Sequence, residues 1–195
     1  QRKLSECPYV QQEDEGSVEN ESVVTMENNY KRVSRELEDE VKCVDLKEAA
    51  AAIGGDYEDR EGGGVIKLKM MNREYEVRNE GLFVDDSYCE HSWSKIIIYD
   101  YVRMKGDTPL TGNWVSMGHF PDAASHSKAF QKNAEDKISE KFNSDLSGLV
   151  SRCNELECFE TSGELKADYV CGFNLLPRVP MYLSFWEADD EYPAS

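Results

Sequence analysis

VIKLKMMNREYEVRNEGLFV (Val65 to Val84) carries the two-residue period of β-strands in an otherwise helix-rich chain. Ile66, Leu68 and Met70 alternate with Lys67 and Lys69, and Tyr75 and Val77 alternate with Glu74, Glu76 and Arg78. Successive side chains of a strand point to opposite faces, so this pattern predicts strands with one covered face and one wet face. Asn72-Arg73 is a turn signal between two strands, and Gly81 to Val84 extends the pattern, which together read as a small antiparallel meander. The charged, Gly-rich stretch before it, Asp56 to Gly64, reads as a turn.

The segments around the meander have the period of helices. Met26, Tyr30, Val33, Leu37, Val41 and Val44 recur every three or four residues, as on a helix with one buried face. A second helix follows: Asp45 and Glu48 suit a capping box, Leu46, Ala49, Ala50 and Ile53 share a face, and Gly54-Gly55 suits a left-handed exit. Trp93, Ile97, Tyr101 and Met104 mark a third, capped by Ser92 or Ser94 and stopped at Gly106, although Ile96 to Ile98 and Val102 would also suit a buried strand. Gly106 to Ala124 reads as an ordered loop. Phe130, Ala134, Ile138 and Phe142 mark another helix, and Leu146, Leu149, Val150 and Cys153 a short successor. Tyr169 to Leu176 and Met181 to Trp186 read as strands on either side of Pro177 to Pro180. The expected fold class is α+β: helices packed on a small antiparallel sheet, a single domain over 23–195 with a flexible acidic N-terminal segment, 1–22, as a tail or linker. Between Gln11 and Ser22 there is one Val among polar residues, too little apolar surface to offset the entropy of ordering.

Composition narrows the function classes. Against 22 Lys and Arg stand 39 Asp and Glu, a net charge of −17 that repels phosphate backbones and anionic lipid. Nucleic acid is excluded as an expected partner, and a protein partner, steered by the acidic ends, takes its place. No apolar run approaches the ~20 residues of a membrane span, and no basic start precedes a hydrophobic stretch, so the expected location is the cytoplasm. The six cysteines are irregularly spaced and read as reduced thiols, some of them able to serve as metal ligands. Cys153-x4-Cys158 with Cys171 further on does not match the two-residue spacing of zinc knuckles, and the three are expected to be buried small hydrophobes without zinc. Cys89-Glu90-His91 is expected to be surface loop. There is no phosphate-binding Gly loop, since Gly62-Gly63-Gly64 lacks the following Lys and hydroxyl residue, and there is no nucleophile elbow. No catalytic residue is assigned.

Two segments carry a resemblance. YDYVRMKGDTPLTGNWVSMGHFPDA (Tyr99 to Ala123) and FNLLPRVPMYLSFWEADDEYPAS (Phe173 to Ser195) resemble the signature blocks of an uncharacterised family of anaerobic bacteria and archaea, domain of unknown function 3786. With the helices between them, the resemblance covers about Met26 to Ser195. KLSECPYV (Lys3 to Val10) is similar to the end of the small iron–sulfur domain of corrinoid proteins, to which members of that family are sometimes fused. That likeness implies Cys7 as a fourth cluster ligand, with the other three outside this chain.

The resemblance points to an accessory or docking protein of iron–sulfur or corrinoid redox chemistry. The alternatives are a non-catalytic interaction subunit and, less favoured, a metal-assisted hydrolase. The cofactor would be an iron–sulfur cluster or a corrinoid, with His119 and His126 as metal or cobalt ligands and Trp114 and Trp186 as aromatic walls. Asp189, Asp190 and Glu191 form an acidic group suited to a hard cation, or simply a solvated turn. Trp114 and the His119 to Pro121 turn are expected to lie against the Pro177 to Pro180 corner or the strand ending at Trp186. The three carboxylates would then rim one concavity, with Arg178 clamping them.

Overall fold

The computed structural model describes residues 19–159, 161 and 166–195, with side chains from Asn28 onward except those of Ala124 and Ser125. Cys7 and the first 18 residues lie outside the described residues.

The alternating stretch forms the middle of a five-stranded antiparallel sheet in sequence order: β1 (Asp56–Arg60), β2 (Gly63–Met70), β3 (Arg73–Arg78), β4 (Gly81–Val84) and β5 (Ser87–Tyr88). The register pairs Leu68 with Tyr75 and Ile66 with Val77, so the apolar positions fall on one face. The stretch expected to be a turn is thus mostly β1, with Glu61-Gly62 as the bend. Asp-Tyr-Glu-Asp-Arg carries no apolar alternation because β1 is an edge strand, and charge on an edge discourages pairing with other chains. It is held in place by ion pairs, Arg60 to Glu76 at 2.9 Å and Lys67 to Glu58 at 2.9 Å.

Helices α1 (Glu19–Val41), α2 (Leu46–Ile53) and α3 (Ser92–Met104) cover the apolar face. Ile53, Ile66, Val77, Leu82, Ile98 and Val102 are fully buried there, each worth about 1.5–3 kcal/mol. α1 begins at Glu19, inside the stretch expected to be linker, because adding turns to a helix already nucleated and packed downstream costs little. Its buried face is the expected one, with Leu37 and Val41 in the core and Tyr30 stacked on Trp93 at 4.1 Å between ring centroids. Asp45 caps α2 by accepting from the Glu48 amide at 3.0 Å, while the Glu48 carboxylate turns away to Lys105 at 2.7 Å. α3 is a helix, but Trp93, Ile97 and Met104 of the stripe that marked it are exposed, and its buried face is Ser94, Lys95, Ile98, Tyr99 and Val102. Its cap is His91, whose Nδ1 accepts from the Ser94 amide. Cys89, expected in surface loop, is buried against this core.

A second, smaller layer holds α4 (Ala124–Phe130), α5 (Asp136–Phe142), α6 (Leu146–Glu155) and a hairpin of β6 (Tyr169–Leu176) and β7 (Val179–Phe185). A π-helical turn at Gln131–Glu135 joins α4 to α5, so this helical stretch starts six residues before Phe130. Leu149, Cys153, Cys171, Phe185 and Ala194 form the buried heart of this layer. β6 joins the layers: the Met71 amide donates to the Leu175 carbonyl at 3.0 Å, and Leu176 enters the main core.

Candidate metal centre

Three cysteines far apart in sequence converge in the smaller layer. Cys153 faces inward on α6, whose apolar positions point at the hairpin, and Cys171 faces inward on β6. Cys158 lies just past the end of α6 and is only partly buried. What brings it in is an isolated antiparallel bridge between Phe159 and Gly172, with amide-to-carbonyl bonds of 2.8 and 3.0 Å. In such a bridge the residues flanking the pair point to the opposite face from the pair itself, so Cys158 and Cys171 share a face. Their sulfurs are 3.2 Å apart. On the other face the Phe159 ring lies where a β-carbon on Gly172 would sit, only 2.3 Å from that position, and glycine is what permits the close approach.

The three sulfurs all lie within 4.8 Å of one another. An ion at a metal–thiolate distance of about 2.3 Å from each sulfur requires sulfur separations of roughly 4 Å, so the Cys158–Cys171 pair, at 3.2 Å, has to open slightly to admit one ion. A four-iron cluster is a poorer fit, since each cysteine then caps a different iron and the sulfurs splay outward. Burial, reinforced by the neighbouring Cys171 sulfur, pushes the Cys153 thiol up to about 11 and the Cys158 thiol up to about 12. Without a metal these two are therefore neutral thiols at pH 7, and an ion must displace their protons to bind. Burial likewise raises Tyr169, which stands two residues before Cys171 on the same face of β6 and packs into the same layer.

Spacing alone concealed this group. The third sulfur arrives through a strand pairing 13 residues away, and Cys153-x4-Cys158 lacks the two-residue spacing of a knuckle's close pair. The available signal was that Cys153 sits on the apolar face of a helix and Cys171 at an inward strand position, which aims both at one core.

The residues expected to form a site lie elsewhere. Of the loop after α3, Trp114 meets the hairpin, packing on Tyr182 of β7 at 5.2 Å between ring centroids. Arg178 does not clamp the carboxylates. Its guanidinium donates instead to the carbonyls of Ala52 (2.7 Å), Asp107 (2.9 Å) and Thr108 (2.8 Å), because the corner between β6 and β7 faces the end of α2 and the start of the loop. His119 is exposed and bonded to Ser116 at 2.7 Å, and His126 is exposed. Trp186 donates from its indole nitrogen to the Lys166 carbonyl and walls a cleft of about 760 Å³ with Tyr192, Pro193, Asp168, Glu187 and Asp189. Trp114, His119 and His126 do not line that cleft, and Asp190 and Glu191 are exposed beside it. Asp189 is held below the usual carboxylate range by the amides of Glu191 and Tyr192, which donate to it at 2.8 and 2.7 Å.

A family model matches residues 45–195, which is most of the chain and includes the whole thiol group. The chain belongs to the family described as domain of unknown function (DUF3786). The DUF3786 region begins at the cap of α2, so α1 lies outside the matched residues although it packs on the matched core. No curated protein and no solved structure matches the chain. No helix among the described residues is long and apolar enough to cross a membrane.

Proposed function

We propose that this DUF3786 protein holds one soft metal ion on Cys153, Cys158 and Cys171, and serves without catalysis as an accessory module for the metal or redox chemistry of a larger assembly. The convergence of three thiols within 4.8 Å carries the reading. Thiolates select soft or borderline ions such as zinc or copper(I) over calcium and magnesium. A two-stranded hairpin is marginal by itself, and an ion joining α6, the following loop and β6 would brace it. The docking half of the proposal is supported by the loop after α3, where Leu110, Trp114, Val115, Met117 and Phe120 are all exposed on one ordered segment.

Protein purified without oxygen should contain about one soft metal ion per chain. Cobalt(II) substitution should give an intense thiolate-to-metal absorption band, and Cys153→Ala with Cys158→Ala should abolish both. A chain that takes up no ion, or keeps it in the double variant, refutes the proposal. The absorption of an iron–sulfur cluster or a corrinoid would return the reading to cofactor chemistry centred on Cys7 or on His119 and His126.

A further inference from the structure

The cleft beside Trp186 is built by a segment that folds back on itself. Trp186 and Ser195 exchange both backbone hydrogen bonds, at 2.8 and 3.1 Å, and the Asp189 amide donates to the Tyr192 carbonyl. Asp189 Oδ1 closes the turn through the Glu191 and Tyr192 amides, and Asp168 accepts from the Glu187 amide at 2.8 Å. Ala194 is buried in the smaller core and its amide donates to Asn143, which anchors the far arm. Two aromatic rings, Trp186 at 39% and Tyr192 at 69% exposure, therefore stand at a formed cleft with three carboxylates, not on a loose tail.

None of Asp168, Glu187 and Asp189 makes an ion pair with a Lys or Arg among the described residues, although the sheet and helices of the main layer pair many of theirs. Such a cleft rejects anions. It attracts a group that is cationic at one end and apolar along its length, since ring faces stabilise an ammonium or guanidinium and the alkyl stem packs on the same rings. The surplus of negative charge on the chain adds long-range steering toward a basic surface.

We infer that the Trp186–Tyr192 cleft is a recognition site for a lysine or arginine side chain of a basic protein partner, with the rings receiving the stem and Asp168, Glu187 and Asp189 the charge. The residues that line the cleft are distinct from the three cysteines.

The test uses the full chain, labelled with nitrogen-15, and the short peptide acetyl-Gly-Lys-Gly-amide beside its twin bearing Nε-acetyllysine. The indole resonance of Trp186, assigned by its loss in Trp186→Phe, should shift saturably with the lysine peptide and not with the acetylated twin. Added salt should weaken the binding. Tyr192→Leu, at a position too exposed to matter for folding, should weaken it roughly two- to fivefold, the range of an exposed cation–π contact. Glu187→Gln, whose side chain supports no other element, should weaken it as well. Equal shifts with both peptides, no shift with either, or full binding by both variants overturns the inference. Calcium chloride reproducing the shift while the lysine peptide does not would also overturn it, in favour of a hard-cation site.

Discussion

The thiols of Cys153 and Cys158 show how a residue's chemistry follows its surroundings. Both are raised, to about 11 and about 12, by burial first and by the adjacent Cys171 sulfur next. At neutral pH each carries a proton that a metal must displace, so uptake and pH are linked. Metal uptake at pH 7 should release at least two protons per ion, one from each of these cysteines, measurable by calorimetry in buffers of different ionisation enthalpy. The apparent association constant should then rise at least about a hundredfold per pH unit, since at least two bound protons enter the equilibrium. Uptake without proton release would mean that the thiols are already thiolates, and the burial argument would fail. The raised values also make the metal-free thiols slow to oxidise, because the thiolate is the reactive form.

Among the elements, α1 is secured by a polar clasp as well as by its apolar stripe. The Lys95 ammonium of α3, 6% exposed, donates to Glu38 Oε2 of α1 at 2.9 Å and bonds the Tyr88 hydroxyl, while the Tyr99 hydroxyl donates to the same carboxylate at 3.1 Å. Burial opposes the charge on Glu38, but Lys95 and the two tyrosines outweigh it and hold the carboxyl below its usual range. Removing one partner of a buried pair leaves the other charged and unmatched. Glu38→Ala should therefore cost about 3 kcal/mol in urea denaturation, more than its lost contacts alone would. Glu38→Gln combined with Lys95→Met should recover part of that, since no uncompensated charge remains. A double variant no better than Glu38→Ala would show that the clasp works through packing and not through charge. The clasp also explains why a helix outside the family-matched residues belongs to the same core: the DUF3786 region buries a lysine whose counter-ion α1 supplies.

For the whole molecule, a net charge of −17 sets a background repulsion that folding must overcome. Salt screens it, so raising sodium chloride from low to about 0.5 M should raise the midpoint of thermal unfolding. A falling midpoint would mean that the local pairs, such as Arg60 with Glu76, outweigh the repulsion. At this scale the sequence by itself determined the α+β class, the middle strands, the buried faces of α1, α2 and α6 and the β6–β7 hairpin, but not the buried face of α3. Each is written in a local period, two for Ile66, Leu68 and Met70, and three or four for Tyr30, Leu37 and Val41, and a period survives without knowledge of neighbours. It did not reveal β1, whose Asp-Tyr-Glu-Asp-Arg has no apolar rhythm and is a strand only because β2 supplies its ladder bonds and Glu76 its counter-charge. Nor did it place Arg178, whose three carbonyl partners come from α2 and the loop after α3, more than 69 residues away. The thiol group is the strongest instance. Cys153 and Cys158 lack a recognised spacing and Cys171 belongs to another element, so only the pairing of Phe159 with Gly172, a contact between surfaces that exist after the chain has folded, sets three sulfurs within reach of one ion.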